Sequence, residues 1–269
     1  IQDRGKDRHG TMMAGILASH GQYQGAAPNV GLVIAAALNS EGTTQSETTV
    51  SDAIEWCWNE MGVDIISLSL GGDPDPENPL GSQTADAVSD ALDHGVFVVA
   101  AAGNSGGAGT AVTDVSVPAN VDGVIAVGAV DQDGLLWDRT ATGSQTEGAD
   151  GTQRIEPNQK PEVSAPGVDI ISTSNPDLSI PYSASSGTSD ATVFVTGALA
   201  LILERHGDAL PTTNSTRAGI TLVKQALADS CKPHALQGDG HHPRWGYGIL
   251  DSVAWERAVA DRIAENGDT

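Results

Sequence analysis

The run Val-Phe-Val-Val-Ala-Ala-Ala-Gly-Asn at residues 96–104 decides the fold class of this chain. An unbroken apolar run that closes in a glycine turn is typical of a strand buried on both faces of its sheet. Similar strand-like runs lie at residues 30–38, 63–70, 124–130 and 168–173.

Helical patterns alternate with these runs, at residues 46–61, 82–94, 189–206, 217–229 and 251–264. Strands that alternate with helices predict a three-layer α/β fold, in which helices cover both faces of a mostly parallel sheet. Functional sites in such sheets gather at the carboxyl ends of the strands. Residues 141–161 are polar and predict an exposed loop or insertion. The chain shows no internal repeat and no linker, so we expect one domain.

The chain carries 35 Asp and Glu residues against 13 Lys and Arg residues, a formal net charge of −22. No basic patch can form against that field, which excludes nucleic-acid binding. The acidic residues are spread along the chain, and this favours a halophilic protein whose surface repulsion is screened by salt. An ordinary acidic secreted protein is the alternative. The sequence contains no run long and apolar enough for a membrane span, and no signal peptide is visible in it.

The two cysteines, Cys57 and Cys231, allow one disulfide, but two buried free thiols are an equally good interpretation. His241 and His242 are adjacent and follow a Gly-Asp-Gly turn, which is not the spacing of a zinc site. We therefore predict no metal in the chemistry. The many surface acids are compatible with structural calcium, for which the sequence identifies no ligands.

Three segments contain residues suited to catalysis. His9 starts a helical stretch of small residues, Asn104 lies in a glycine-rich turn after a strand, and Ser189 starts a long apolar helix. The dipole and the free N–H groups of a helix N-terminus favour negative charge that develops beside the serine. Each residue alone has an ordinary explanation: a surface or capping His, a turn Asn and an N-cap Ser.

Together, the order His, Asn, Ser and the surrounding motifs resemble the subtilisin-like (subtilase) family. His-Gly-Thr-Met-Met-Ala-Gly at residues 9–15 resembles the family's His-Gly-Thr-His-Val-Ala-Gly. Ser-Leu-Gly-Gly at 69–72, Lys-Pro-Glu-Val-Ser-Ala-Pro-Gly at 160–167 and Gly-Thr-Ser-Asp-Ala-Thr-Val-Phe-Val-Thr-Gly at 187–197 resemble further family segments. The resemblance extends from about residue 3 to about residue 254.

This resemblance implies a serine endopeptidase that forms an acyl-enzyme. It implies that Ser189 is the nucleophile, that His9 is the general base, and that Asn104 and the Ser189 backbone N–H hold the oxyanion. Extended substrate would pair with residues 69–71 as an added strand. Small residues would line a roomy, uncharged pocket for the residue before the cleaved bond. The residues expected to bind substrate are Ser69, Leu70, Gly71, Ala102, Gly103 and Ser116.

Two features depart from the family pattern. The family's catalytic Asp lies in an Asp-Ser/Thr-Gly segment well upstream of the His, whereas Asp3 and Asp7 lie in no such segment. We therefore expect residues 1–269 to be a single subtilase domain that lacks its N-terminal strand and catalytic Asp segment, which would impair this chain alone. Asp190 follows the serine directly, and a carboxylate there should hinder oxyanion formation unless it points to solvent.

The resemblance implies a secreted monomer that acts on polypeptide substrates. The alternative is a non-catalytic relative that binds peptides, which the missing Asp and Asp190 motivate. A nucleotide-binding α/β protein is disfavoured, because no Gly-x-Gly-x-x-Gly or Walker A sequence follows a strand.

Overall fold

The computed structural model describes residues 8–39, 41–44, 46–75, 82–107, 114–147, 152–174, 181–211 and 217–267. Its helices are α1 His9–Ala18, α2 Glu47–Glu55, α3 Gln83–Asp93, α4 Thr188–His206, α5 Ala218–Ser230 and α6 Ser252–Gly267. Its strands are β1 Ile65–Leu68, β2 Phe97–Ala101, β3 Ile125–Val130, β4 Thr146–Glu147, β5 Thr152–Gln153, β6 Val163–Pro166, β7 Ile170–Thr173 and β8 Tyr182–Ser185.

The central sheet contains β1, β2, β3 and β6, in that spatial order and all parallel. Every residue of β2 and β3 is buried, although alternate side chains of a strand point to opposite faces. Both faces of the sheet are therefore covered, as the unbroken apolar runs predicted. In the described part of the chain β1 lies at an edge of this sheet and pairs only with β2.

Helix α4 crosses the sheet and contacts all four of its strands. Its sequence is rich in β-branched residues, which are not strong helix formers, so burial rather than helix propensity must stabilise it. Val195 and Leu199 are fully buried, and each such side chain contributes roughly 2 kcal/mol. The Ser67 hydroxyl on β1 lies 2.9 Å from the Thr196 hydroxyl on α4, which fixes the helix against the sheet.

Helix α1 is held between α4 and the β7–β8 hairpin. Met12 and Leu17 pack in one cluster with Val193 of α4. The Ser172 hydroxyl on β7 donates to the Met12 carbonyl oxygen at 2.7 Å. A side chain at Gly15 would collide with Ser172 and its neighbour, so glycine permits the close approach of helix and strand. These contacts fix the position of the first turn of α1.

Residues 30–38 do not form the strand that their apolar composition predicted: none of them is assigned to a strand. Among the described residues this segment has no strand partner, and Leu32 and Ile34 are each 42% exposed. The segment lines a groove of about 3020 Å³ whose other wall includes Ile65 on the open edge of β1. An apolar run favours a strand, but only a neighbouring strand can satisfy its backbone groups.

Residues 141–161 are not the exposed loop that their polar composition predicted. The described part of this segment contains β4 and β5, and it buries Arg154 and Lys160. The Arg154 guanidinium binds the Asp114 carboxylate at 3.0 Å. The prediction failed because the partners that permit burial lie far away in sequence, where local composition does not reveal them.

Lys160, Glu162 and Lys224 form a buried ion cluster beneath the sheet. Glu162 Oε1 accepts hydrogen bonds from Lys160 Nζ at 2.9 Å and from Lys224 Nζ at 2.7 Å, and Oε2 accepts from the Ala126 backbone N–H at 2.8 Å. Both ammonium groups also donate to the Val124 carbonyl oxygen. The cluster therefore links the start of β6, β3 and α5 through two ammonium groups that share one carboxylate and backbone carbonyl oxygens.

Cys57 and Cys231 are both free, so the structure contains no bond between them. Burial raises the pKa of the Cys231 thiol to about 12, which makes it an unreactive core residue. None of the helices in the described ranges has the length and apolarity that a membrane crossing requires.

Candidate active site

The N-terminus of α4 meets the carboxyl ends of three strands of the sheet. The Gly187 backbone N–H donates to the Gly167 carbonyl oxygen, just after β6, at 2.8 Å. The Gly103 backbone N–H, just after β2, donates to Thr188 Oγ1 at 3.2 Å. The side chain of Ser69, just after β1, contacts Ser189. The predicted nucleophile therefore lies at the edge of the sheet where sites are expected in this fold class.

Ser189 and Ser69 exchange two hydrogen bonds. The Ser189 hydroxyl donates to the Ser69 carbonyl oxygen at 3.3 Å, and the Ser69 hydroxyl donates to the Ser189 carbonyl oxygen at 3.0 Å. Ser189 is half-buried at the first turn of the helix. The hydrogen bond from its hydroxyl is long and therefore weak, so the hydroxyl can rotate towards another acceptor at little cost in energy.

The Asn104 amide is oriented by Thr188. Asn104 Oδ1 accepts hydrogen bonds from the Thr188 backbone N–H at 3.0 Å and from the Thr188 hydroxyl at 2.8 Å. A backbone N–H can only donate, so the amide atom that it meets must be the oxygen. The NH₂ group of Asn104 is thereby directed away from Thr188 as a donor. Sequence reasoning did not single out Thr188, although it lies inside the quoted Gly-Thr-Ser motif.

Two donors surround the open side of Gly187. A Cβ atom added at Gly187 would lie 3.6 Å from Asn104 Nδ2 and 3.7 Å from the Ser189 backbone nitrogen. Both are the groups that sequence reasoning assigned to an oxyanion hole. Glycine leaves this space free, and the α4 dipole adds to the positive potential there.

A carboxylate at position 190 is expected not to hinder oxyanion formation only if it points to solvent. The Asp190 carboxyl does not point to solvent. The residue is 2% exposed, and one oxygen of its carboxyl accepts a hydrogen bond from the Ser185 hydroxyl on β8. Burial raises the pKa of the Asp190 carboxyl, and the bond from Ser185 opposes this rise. Ser185 is a second contributor to the site that the sequence did not reveal.

His9 is the first residue of α1 and is exposed. Its helix packs against α4, whose first turn carries Ser189, so α1 and the serine belong to one packed unit. His9 also lines the groove beside β1, together with Ser69. Asp3 and Asp7, the carboxylates considered from sequence, lie outside the described residues.

The predicted substrate-binding residues come together around Ser116. A Cβ atom at Gly71 would lie 2.9 Å from Ser116 Cβ, and one at Gly103 would collide with the Ser116 side chain. Gly103 also has φ +111°, a conformation that favours glycine. Ser116 is thus wedged between the segments after β1 and β2. Ala102 is fully buried, and its carbonyl oxygen accepts a hydrogen bond from the Ser116 backbone N–H at 2.8 Å.

Over the ranges that the structure describes, no three His, Cys, Asp or Glu residues form a group that could hold a metal ion. Structural calcium therefore stays a prediction without ligands, and no step of the chemistry below depends on a metal.

Comparisons with known proteins identify relatives of this chain. The profile of the subtilase family, Peptidase_S8, matches residues 1–248. Subtilisin DY of Bacillus licheniformis is 39% identical over 228 residues, which cover 82% of this chain and 72% of that protein. Serine protease AprX of Bacillus subtilis (strain 168) is 34% identical over 233 residues, which cover 76% of this chain but only 50% of AprX.

Solved structures agree with these sequence matches. A mutant of the protease domain of PatA superposes with a TM-score of 0.72 at 27% identity, covering 94% of this chain and 80% of that one. The prenylagaramide maturation protease PagA gives a TM-score of 0.71 at 26% identity, covering 93% and 82%. The predicted subtilisin-like α/β fold, with helices around a parallel sheet, is confirmed. This chain belongs to the subtilase family of serine proteases.

Proposed function

We propose that this protein is a serine endopeptidase that cleaves polypeptides through an acyl-enzyme intermediate. The observation that supports this most strongly is the paired placement of Asn104 Nδ2 and the Ser189 backbone N–H around the space beside Gly187. Two donors fixed at a helix N-terminus are what an acyl-transfer site needs where negative charge develops. Membership in a family of serine proteases supports the same conclusion.

The chemistry follows from the roles of three residues. Ser189 Oγ leaves its bond to the Ser69 carbonyl oxygen and attacks the carbonyl carbon of the substrate, while His9 takes the proton. Asn104 and the Ser189 N–H hold the oxyanion, and His9 then protonates the leaving amine. Water hydrolyses the acyl-enzyme by the same steps in reverse order. No cofactor takes part in this chemistry.

Substrate would bind as an extended strand along Ser69, Leu70 and Gly71. These residues follow the last paired residue of β1 and so continue the direction of that strand. The Ser69 carbonyl oxygen accepts from the Ser189 hydroxyl and becomes available for strand addition when that hydroxyl turns to the substrate. Ser116 and Gly103 would form the floor of the pocket for the residue before the cleaved bond. We expect the protein to act as a monomer on extended segments of polypeptides.

A carboxylate that orients His9 is the third requirement of the triad. The groove between β1 and residues 30–38 is open along the free edge of β1 and is lined by His9. We propose that a strand which precedes residues 1–269 in the same polypeptide pairs with the edge of β1. This strand would bring the Asp to His9. Replacing that Asp by Asn in the full-length protein should lower kcat by about 10⁴-fold, the loss seen in other triads.

The surface charge supports a halophilic and secreted protease. A net charge of −22 repels itself at low ionic strength, whereas molar salt screens exposed charges beyond about 3 Å. Bacterial relatives such as subtilisin DY motivate the secreted location. Both properties are proposals that rest on charge and family.

A non-catalytic peptide-binding protein is the second candidate. Two observations favour it: the Ser189 hydroxyl is bonded to a carbonyl oxygen, and the buried Asp190 lies next to it. Such a protein would bind extended peptides on the segment after β1 without cleaving them.

Hydrolysis of an unfolded polypeptide by the full-length protein in molar salt separates the two candidates. The protease should produce new amino termini at a rate that Ser189→Ala abolishes, while Ser189→Ala still binds the polypeptide. Equal and background-level hydrolysis by both proteins, with binding retained, would support the peptide-binding alternative instead.

A further inference from the structure

Asp190 is a buried carboxyl group with few partners. It lies in the first turn of α4 and is 2% exposed. Among the described residues, only the Ser185 hydroxyl and the backbone N–H of Asp190 itself donate to the carboxyl, and no Lys or Arg does. An ionised carboxylate in such surroundings loses much of its hydration without gaining a cation. The neutral acid is therefore favoured more than at the surface.

The second oxygen of this carboxyl points at the proposed oxyanion hole. A Cβ atom at Gly187 would lie 3.5 Å from Asp190 Oδ2, close to the distances for Asn104 Nδ2 and the Ser189 nitrogen. Three polar atoms thus surround one small space that the missing side chain leaves open. Oδ1 is engaged by Ser185, which leaves Oδ2 as the atom that faces this space.

The protonation state of Asp190 decides what it does there. An ionised Oδ2 would repel the negative charge of a tetrahedral intermediate a few ångströms away. A protonated Oδ2 would instead donate a hydrogen bond to that charge, and hydrogen bonds to ionised groups are stronger than neutral ones. A carboxylic acid kept neutral by an apolar site is a known way to build an oxyanion donor.

We propose that Asp190 acts as a neutral carboxylic acid that donates a third hydrogen bond to the oxyanion, and that its ionisation switches the site off. This inference rests on the proposed function and names a further catalytic residue for it. Asp190 keeps its proton throughout the cycle, so the proton transfers between Ser189, His9 and the substrate are unchanged.

The surroundings agree with this assignment. Burial raises the pKa of Asp190, while the bonds from Ser185 and from its own backbone N–H lower it. The elements packed around the first turn of α4 carry further titratable groups, but in the described part of the chain none of them contributes to this shift. They are Arg8 and His9 on α1, Asp169 before β7 and Tyr182 on β8.

The test is the pH profile of kcat/KM for a short peptide anilide, measured on the full-length protein. The wild type should lose activity at the alkaline limb as Asp190 ionises. Asp190→Asn keeps a donor that does not ionise, so this limb should disappear while the maximum stays within about threefold. Asp190→Leu should also lose the limb but reach a maximum roughly tenfold lower, because the donor is gone.

Ser185→Ala provides a variant that leaves Asp190 in place. Removing a hydrogen bond to the ionised form raises the pKa of the acid, so the alkaline limb should move to higher pH. An alkaline limb that stays at its wild-type pH in both Asp190→Asn and Ser185→Ala would overturn the inference. Labelling of Ser189 by a fluorophosphonate distinguishes the two proposals. If the variants are labelled and their alkaline limbs are unchanged, only the role of Asp190 as an oxyanion donor is refuted. If none of the proteins is labelled, the proposed protease function itself is refuted.

Discussion

Two of the regions in which this protein buries a carboxyl group, the ion cluster and the start of α4, surround it with opposite kinds of partner. In the buried ion cluster, Glu162 accepts hydrogen bonds from two ammonium groups and one backbone N–H, and its pKa is lowered despite its burial. At the start of α4, the Asp190 carboxyl accepts from the Ser185 hydroxyl and from its own backbone N–H but, among the described residues, from no cation, and burial raises its pKa. Both carboxyls are at most 2% exposed, so their partners rather than their burial account for the difference.

The contrast indicates two different uses of a buried acid. A carboxylate saturated by cations holds three secondary-structure elements in one arrangement and has no donor or acceptor left for a substrate. A carboxyl without a cation, with one oxygen beside an open space, remains available for chemistry, and its charge state can change. The largest effects of substitution should therefore fall on stability in the first region and on activity in the second.

Glu162→Gln should have the largest effect on stability. It leaves two buried ammonium groups without their counter-charge, so the free energy of unfolding should fall by about 3–5 kcal/mol. Urea denaturation followed by tryptophan fluorescence measures this change. Glu256→Gln, which removes a carboxylate that contacts Arg205 and His206 at the surface, is the matched control and should lower it far less. Equal losses in the two variants would contradict the distinction.

The same cluster predicts acid sensitivity. Because the pKa of Glu162 is lower in the folded state than its ordinary 4.5, its contribution to stability is complete above that value. The contribution is lost as pH falls through the folded pKa. The slope of unfolding free energy against pH in this acidic window should be smaller in Glu162→Gln than in the wild type, and an unchanged slope would count against the cluster.

Thr188→Val should lower kcat/KM by roughly tenfold and should also lower the free energy of unfolding by about 1–3 kcal/mol, because the Gly103 backbone N–H loses its acceptor. The hydroxyl of Thr188 is one of two groups that orient the Asn104 amide, and the backbone N–H remains as the other. Thr192→Val is the control, because within the part of the chain that the structure describes the Thr192 hydroxyl bonds only the Thr188 carbonyl oxygen, inside the helix. Loss of activity in Thr192→Val to the same extent would mean that the amide is not oriented in this way.

Salt should have the smallest effect, and it should act on the surface rather than on the buried cluster. If the dispersed acidic charge is a halophilic adaptation, raising salt from low to molar concentration should increase Tm by a few degrees. The difference in unfolding free energy between wild type and Glu162→Gln should stay the same, because buried pairs are screened little. A flat Tm would remove the halophilic proposal.

Local patterns were enough to predict most of the fold. The unbroken apolar runs at β2 and β3 and the long apolar stretch of α4 were predicted from sequence to within two residues. Residues 30–38 have the same character but no strand partner in the described chain, and pairing is a property of neighbours rather than of the run itself. The burial of Lys160 could not be predicted for a related reason, since the Val121 and Val124 carbonyl oxygens that bind its ammonium group together with Glu162 lie far from it in sequence.

The sequence motifs predicted which residues belong to the candidate site, but not how their side chains are oriented. The motifs indicated Ser189, Asn104 and the small residues at the strand ends, which the structure brings together. No local pattern could show that Thr188 turns the Asn104 amide, because that depends on how β2 and α4 meet. Asp190 was recognised as an anomaly, but its burial and its bond to Ser185 required the fold.

The most direct test of the central claim is covalent labelling of Ser189 in the full-length protein. In molar salt, a fluorophosphonate should add once per polypeptide, and peptide mass spectrometry should place the adduct on Ser189, with none in Ser189→Ala. A folded wild-type protein that takes up no label, or carries it equally in Ser189→Ala, would contradict the assignment of this serine as the nucleophile.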